Sequence, residues 1–242
     1  GERPGLSAVR AEGDGPMSVM IFIDGQNLVK GLQRAFRTRV HPVLLGRHLA
    51  GDREVVEVRY YSGIHQPREN PDVHALATRR HKLIRSTGVT VIERTLQYHW
   101  EWGIEDRLPP PYRADEHERH EVTVRKERRA REKGIDLALG LDAVTAALLD
   151  QCKTIIVVSR DRDLVEIAKE INERARFANV RVEVALVADR ERHVMEGYDY
   201  THWIDEDVVE ACRDDFDYRR KLPKKQVQAF LAGLGLPEDQ AS

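Results

Sequence analysis

The chain is poor in the features that would stabilise it covalently or hold it in a membrane. Of its 242 residues only two are cysteine, Cys152 and Cys212, and they stand in no metal-ligand spacing. That excludes a disulfide framework and points to a reducing compartment. No apolar run approaches the ~20 residues that span a bilayer, and the amino terminus lacks the apolar stretch of a secretory signal. A cytoplasmic protein without a membrane partner is expected. Net charge is only −2, although 33% of residues are charged. An anionic partner must therefore be met by a local patch rather than by the overall field. No G-x-G-x-x-G follows the first apolar run, and no Gly-Lys-Ser/Thr occurs in a phosphate-loop context, which excludes a dinucleotide-binding dehydrogenase and a P-loop NTPase. No repeat or sizeable second domain is evident, and this length lets one domain bury a full core.

What is present is an alternation of strand and helix patterns. Residues 19–23 (VMIFI), 54–61, 89–96, 153–159 (KTIIVVS), 180–187 and 200–204 read as strands. The first and fourth are apolar throughout, as strands buried on both faces are. Between them, residues 28–38, 43–50, 71–87, 134–150, 161–174 and 205–216 read as helices. The order predicts an α/β fold with a doubly wound, largely parallel sheet. Residues 1–16 read as a leader outside the fold, 17–217 as the domain, and 218–242 as a tail with one short helix. A long inserted loop is expected over 97–121, with Trp100, Trp102, three prolines and His99, His117 and His120. The histidines are read as surface residues without zinc. The tryptophans are read as a small apolar plug, with base stacking as the alternative.

The chemistry lies at the ends of the apolar strands. SVMIFIDGQNL places Asp24 at the carboxyl end of the first, and IIVVSRDRDL places Asp161 and Asp163 at the end of another. In open α/β sheets ligands bind beyond the carboxyl ends of strands. Singly, each Asp reads equally well as a helix cap. Together with Asp136 and Asp142 they make a carboxylate cluster that repels itself unless neutralised. An all-oxygen donor set of this kind suits Mg²⁺ or Mn²⁺ better than zinc. An aspartyl-nucleophile phosphatase usually has a second Asp two residues after the first, and Gln26 stands there.

These three blocks, SVMIFIDGQNL, KGID with LDAV, and VVSRDRDL, resemble the signatures of the NYN family, which are PIN-like, metal-dependent ribonuclease domains. The resemblance implies a three-layer PIN-like fold with a central, mainly parallel sheet, RNA as substrate, and Mg²⁺ or Mn²⁺ as cofactor. It carries metal-site or catalytic roles to Asp24, Asn27, Asp136, Asp142, Asp161 and Asp163. On an ideal helix Asp136 and Asp142 lie about 9 Å apart along the axis and roughly 120° apart around it, so Asp142 ranks below the others as a ligand. The basic run before Asp136 (Arg125, Lys126, Arg128, Arg129) is expected to meet the phosphate backbone, the alternative being a solvated helix face whose charge is balanced by Glu127 and Glu132. Arg79, Arg80 and Lys82 are a possible second bank. The family's third block usually reads Ser-Gly-Asp-Ser-Asp-Phe, whereas Arg160, Arg162 and Leu164 stand here. The two arginines are expected to hold the turn or bind RNA beside the site, because an extended chain would put Asp161 and Asp163 on one side and the arginines on the other. The alternative is a catalytically degenerate nucleic-acid-binding or regulatory module on the same fold.

Overall fold

The computed structural model describes residues 17–104, 124–174, 177, 179–188 and 192–237. In chain order the elements are β1 (Ser18–Asp24), α1 (Gly25–Ala35), α2 (Pro42–Ala50), β2 (Glu54–Ile64), α3 (Pro71–Ser86), β3 (Thr90–Thr95), β4 (Gln97–Ile104) and β5 (Val124–Arg131). There follow α4 (Ile135–Leu148), β6 (Thr154–Val158), α5 (Val165–Glu173), β7 (Arg181–Val187), β8 (Tyr200–Ile204), α6 (Glu206–Ala211) and α7 (Lys224–Gly233). Six strands form one sheet in the order β3-β2-β1-β6-β7-β8, and every neighbouring pair is parallel.

The chain starts at the centre, winds outward through β2 and β3, returns to place β6 beside β1, and winds outward the other way. The boundary between β1 and β6 is therefore the topological switch point, where loops diverge and leave a crevice. Ile23 pairs with Val158 across it, so the two acid-bearing turns leave the sheet side by side.

Alternation along β1 and β6 builds the two halves of the core. Val19, Ile21, Ile23, Ile156 and Val158 face α1 and α2 through Leu28, Leu32 and Leu45. Met20, Phe22, Ile155 and Val157 face α4 and α5 through Leu139, Ala143, Ile167 and Ile171. Helices on both faces give three layers, the fold class predicted. Phe22 has no exposed surface, and its truncation to Ala should cost about 3–5 kcal/mol.

Two stretches differ from expectation. Residues 97–104, predicted as loop, form β4, and the basic run, for which a helix face was the alternative reading, forms β5. The two pair antiparallel as a separate two-stranded ribbon. Residues 105–123, with His117, His120 and the prolines, lie outside the described residues, as does the leader 1–16. The described part of the tail is also more than an appendage. Tyr218, Val227 and Leu231 pack with Leu83 and Phe216 in a third apolar cluster, and Arg47 donates to the Leu234 carbonyl at 2.8 Å. Cys152 and Cys212 are buried free thiols, and burial pushes each up to about 11. Among the described residues no helix is long and apolar enough to cross a membrane.

Candidate functional site

Asp24 ends β1 and caps α1. Its Oδ1 accepts from the Asn27 N–H at 3.0 Å, and its Oδ2 accepts from the Ser159 hydroxyl at 3.0 Å. Gly25 lets this happen. A Cβ there would lie 2.6 Å from the Tyr61 carbonyl oxygen and 2.4 Å from the Tyr60 ring, so no larger residue fits the turn. Ser159 also accepts from the Asp161 N–H at 3.1 Å, coupling the two strand-end turns through one hydroxyl. Asn27 adds a second tie, because its Oδ1 accepts from the Arg160 N–H at 2.9 Å.

Asp136 reaches the same place from α4, which opens at Gly134 with a left-handed φ of 79°. Asp24, Asp136 and Asp161 line one crevice of about 420 Å³ with Glu132, Gln26 and Lys30. Asp24 is only 5% exposed. Burial raises its pKa above the usual carboxylate range, and the charge of Asp161 adds to the rise. Asp136 is raised by burial and then by Asp24, Asp161 and Asp163. None of these carboxylates forms an ion pair with a described Lys, Arg or His.

Glu132 was not among the sequence candidates, having been read as a countercharge within the basic run. It is raised by burial and by Asp24 and Asp136, and its Oε1 is buried without a hydrogen-bond partner. Tyr198 is a second omission. Its buried hydroxyl has no partner, and the Asp161 carboxylate opposes its ionisation. Neither residue carries a local motif that would reveal it.

Other candidates fall elsewhere. Asp142 accepts from the Tyr61 hydroxyl at 2.7 Å and lies 3.5 Å from Arg59. It is thus committed to neutralising partners on β2 and does not line the crevice. Asp163 is exposed and begins no extended run. Residues 162–164 form a single 3₁₀ turn in which the Asp163 N–H donates to Asp161 Oδ1 at 3.0 Å. The expected alternation of acids and arginines therefore fails after Asp161. Arg160 lines a second cleft, of about 1130 Å³, with Lys30, Arg34 and Arg192, and Asn27 and Lys30 border both hollows. Arg162 is exposed on the turn. The second basic bank is a correction. Arg80 is buried against Asp214 and the Tyr60 hydroxyl, and Arg79 donates to the carbonyls of Tyr218 and Arg219. Both hold the tail.

The donor set fits a hard divalent cation in kind: oxygen ligands, burial, and like charges with no ion-paired partner among the described residues. Among the described residues, however, no three His, Cys, Asp or Glu side chains are gathered into a ready cage. Mg²⁺ commonly takes only one or two carboxylates and keeps its waters, so the crevice fits such an ion better than it fits zinc.

The comparison with family models decides the relationship, since the NYN domain matches residues 18–200. The chain belongs to the NYN family. Its architecture is accordingly nuclease-like, and the NYN match spans every element that lines the crevice. The chain is also similar to a protein of unknown function from Vibrio parahaemolyticus RIMD 2210633 whose crystal structure is known. Identity is 21%, the TM-score is 0.54, and the alignment covers 81% of this chain and 98% of that one. At that identity the likeness speaks for the fold alone. Curated proteins yield no match.

Proposed function

We propose that the chain hydrolyses RNA phosphodiester bonds at the crevice between β1 and β6. The observation that carries this reading is the convergence there of Asp24, Asp136 and Asp161, the first two with raised pKa values and none of them ion-paired to a Lys, Arg or His among the described residues. Asp24, Asp136 and Asp161 would hold Mg²⁺ or Mn²⁺, directly or through water, with Asp163 and Glu132 at the margin. Bound there, the ion supplies acidity to water and charge stabilisation to a phosphoryl oxygen.

The chain's own residues supply the remainder. The Asn27 N–H and the Ser159 hydroxyl fix both oxygens of Asp24, so the carboxylate meets its ligand without first losing rotamer freedom. Asn27 is a positioning residue that ties the β1 turn to the β6 turn. The Glu132 carboxyl, whose affinity for a proton is raised by burial and by Asp24 and Asp136, is the group suited to accept one from an attacking water. Lys30 and Arg131 line the same crevice and are placed to meet the phosphate, a sequence-independent contact.

The test is purified protein with end-labelled RNA and DNA, with Mn²⁺ or with chelator, beside Asp24→Asn. Cleavage of RNA that needs Mn²⁺ and disappears in the variant supports the reading. Thermal melting supplies a second readout, because Mn²⁺ at about 100 times its Kd should stabilise the wild type by about 2.7 kcal/mol and the variant by much less. Activity that survives Asp24→Asn belongs to a contaminant. Absence of both cleavage and a Mn²⁺ shift favours the degenerate binding module, to which Arg160 and Arg162 are the pointer. Arg160→Gly with Arg162→Ser decides between the two: activity or Mn²⁺ binding gained by the variant and absent from the parent makes the parent the degenerate form.

A further inference from the structure

The β4–β5 ribbon has two unlike faces. Period-two alternation puts Tyr98, Trp100 and Trp102 on one side of β4, opposite Ala130, Arg128 and Lys126 of β5. The other side carries His99 and Glu101 opposite Arg129 and Glu127. Charges on that second side are satisfied within the ribbon: Glu127 takes Arg125 and Arg129, and Glu101 takes Arg131. The aromatic side contains no acid of the ribbon.

Among the described residues Trp100 and Trp102 form no apolar plug. Trp100 is 60% exposed and Trp102 is 72% exposed. The root beneath them is firmly held. The Tyr98 hydroxyl lies 2.6 Å from His65 Nδ1, and Arg128 pairs with Glu69 at 2.8 Å. The Arg128 guanidinium lies 5.6 Å from the Tyr98 ring centre and 6.0 Å from that of Trp100. Two large π-faces are therefore offered to solvent about 7 Å apart, the spacing of alternate strand residues, with cations between and beside them. Apolar rings exposed singly need no explanation, but a rigid aromatic and cationic stripe is the composition of a stacking platform for unpaired bases. A duplex hides its base faces in its own stack and cannot use it.

The stripe also leads to the crevice. β5 runs directly into it, since Ala130, Arg131 and Glu132 line the wall that also contains Asp136. We propose that the Tyr98–Trp100–Trp102 face of the ribbon binds single-stranded nucleic acid. Bases stack on Trp100 and Trp102, Lys126 and Arg128 meet phosphates, and the strand is directed towards the acidic crevice. The direction of travel rests on the function proposed above; the stacking does not.

The experiment measures fluorescence anisotropy of the full chain with labelled 12-nucleotide RNA and DNA strands in chelator, so that binding is read without cleavage. Trp100→Ala and Trp102→Ala should each weaken binding of the preferred strand about five- to a hundred-fold, and Phe at the same positions should restore most of it. An abasic strand of equal charge should bind the wild type as weakly as the Ala variants bind the normal strand, and a blunt duplex should gain nothing from either tryptophan. Both positions are exposed, and circular dichroism checks that the variants fold. The proposal is overturned if the Ala variants keep wild-type affinity, if normal and abasic strands bind alike, or if neither strand binds. A change of sedimentation without a change of strand affinity also overturns it, by assigning the face to a second copy of the chain. Asp24→Asn separates the two proposals, because loss of nuclease activity there should leave tryptophan-dependent binding intact.

Discussion

Asp24 and Glu183 are each 5% exposed, and both sit on strands of the same parallel sheet, yet their surroundings are opposite. Glu183, in the amino-terminal half of β7, takes Arg53 on both oxygens at 2.9 Å and His202 at 2.7 Å. These partners outweigh burial and hold its carboxyl below the usual range. Asp24, at the carboxyl end of β1, has hydrogen bonds from a backbone N–H and a hydroxyl but no paired cation among the described residues, and burial wins. Buried carboxylates are normally paired, because an unpaired charge in a poorly solvated site is costly. The contrast separates an acid whose charge is neutralised within the sheet from one whose charge no described cation offsets.

Exchanging charge for amide at each position should break the two regions in opposite ways. The largest effect is expected on chemistry: Asp161→Asn should lower metal-dependent cleavage by at least about 100-fold, while the melting temperature holds or rises. Initial rates and a melting curve on one preparation check both halves. Next is Glu183→Gln, which strands Arg53 and should cost about 3 kcal/mol. Calorimetry should show Tm falling by about 6–12 °C for a chain of this size, with cleavage per folded molecule unchanged.

A smaller effect sharpens the same comparison through pH. The raised carboxyl of Asp24 favours the folded state below the ordinary Asp value near 3.8, and that contribution is lost as pH rises through the raised value. The stabilising effect of Asp24→Asn should therefore be absent in acid and grow towards neutrality, reaching roughly 2–4 °C in Tm if about 1 kcal/mol of repulsion is relieved. Glu183 behaves with the other sign. Its contribution is present above its ordinary value near 4.5 and is lost as pH falls through the lowered one, so the deficit of Glu183→Gln should shrink in acid. Parallel curves for the two variants across pH 3–7 are the result that sinks the comparison.

The smallest effect concerns the ribbon. Three unencumbered phosphate contacts would contribute about 2–3 units to the log–log salt slope. Because Arg125 and Arg129 share Glu127 and Arg128 pairs with Glu69, replacing all three should flatten the slope by no more than about one unit. Binding isotherms at four or five salt concentrations provide the measurement.

Much of the architecture was legible because hydrophobic period and strand-end chemistry are local properties. The runs VMIFI and TIIVV are apolar on both faces, so they announce central strands, and the acids after them announce the rim. The ribbon was not legible. VRKERRAR shows no apolar alternation, and its strand character comes from pairing with β4 across the residues between. Glu132 was hidden for a related reason, since a glutamate in a basic run reads as a countercharge until the fold turns it towards Asp24 and Asp136.

By itself, then, the sequence determined the alternation of strands and helices, the two acid-bearing turns and the low rank of Asp142, because each follows from periodicity over a few residues. Only the tertiary structure decided which charges are neutralised. Asp142 finds Tyr61, Arg80 finds Asp214 and Glu183 finds Arg53 across wide gaps in sequence, whereas Asp24 and Asp136 find other acids. Electrostatic pairing acts over a few ångströms of space rather than along the chain, so whether a carboxylate is a strut or a ligand is settled when the strands are laid side by side.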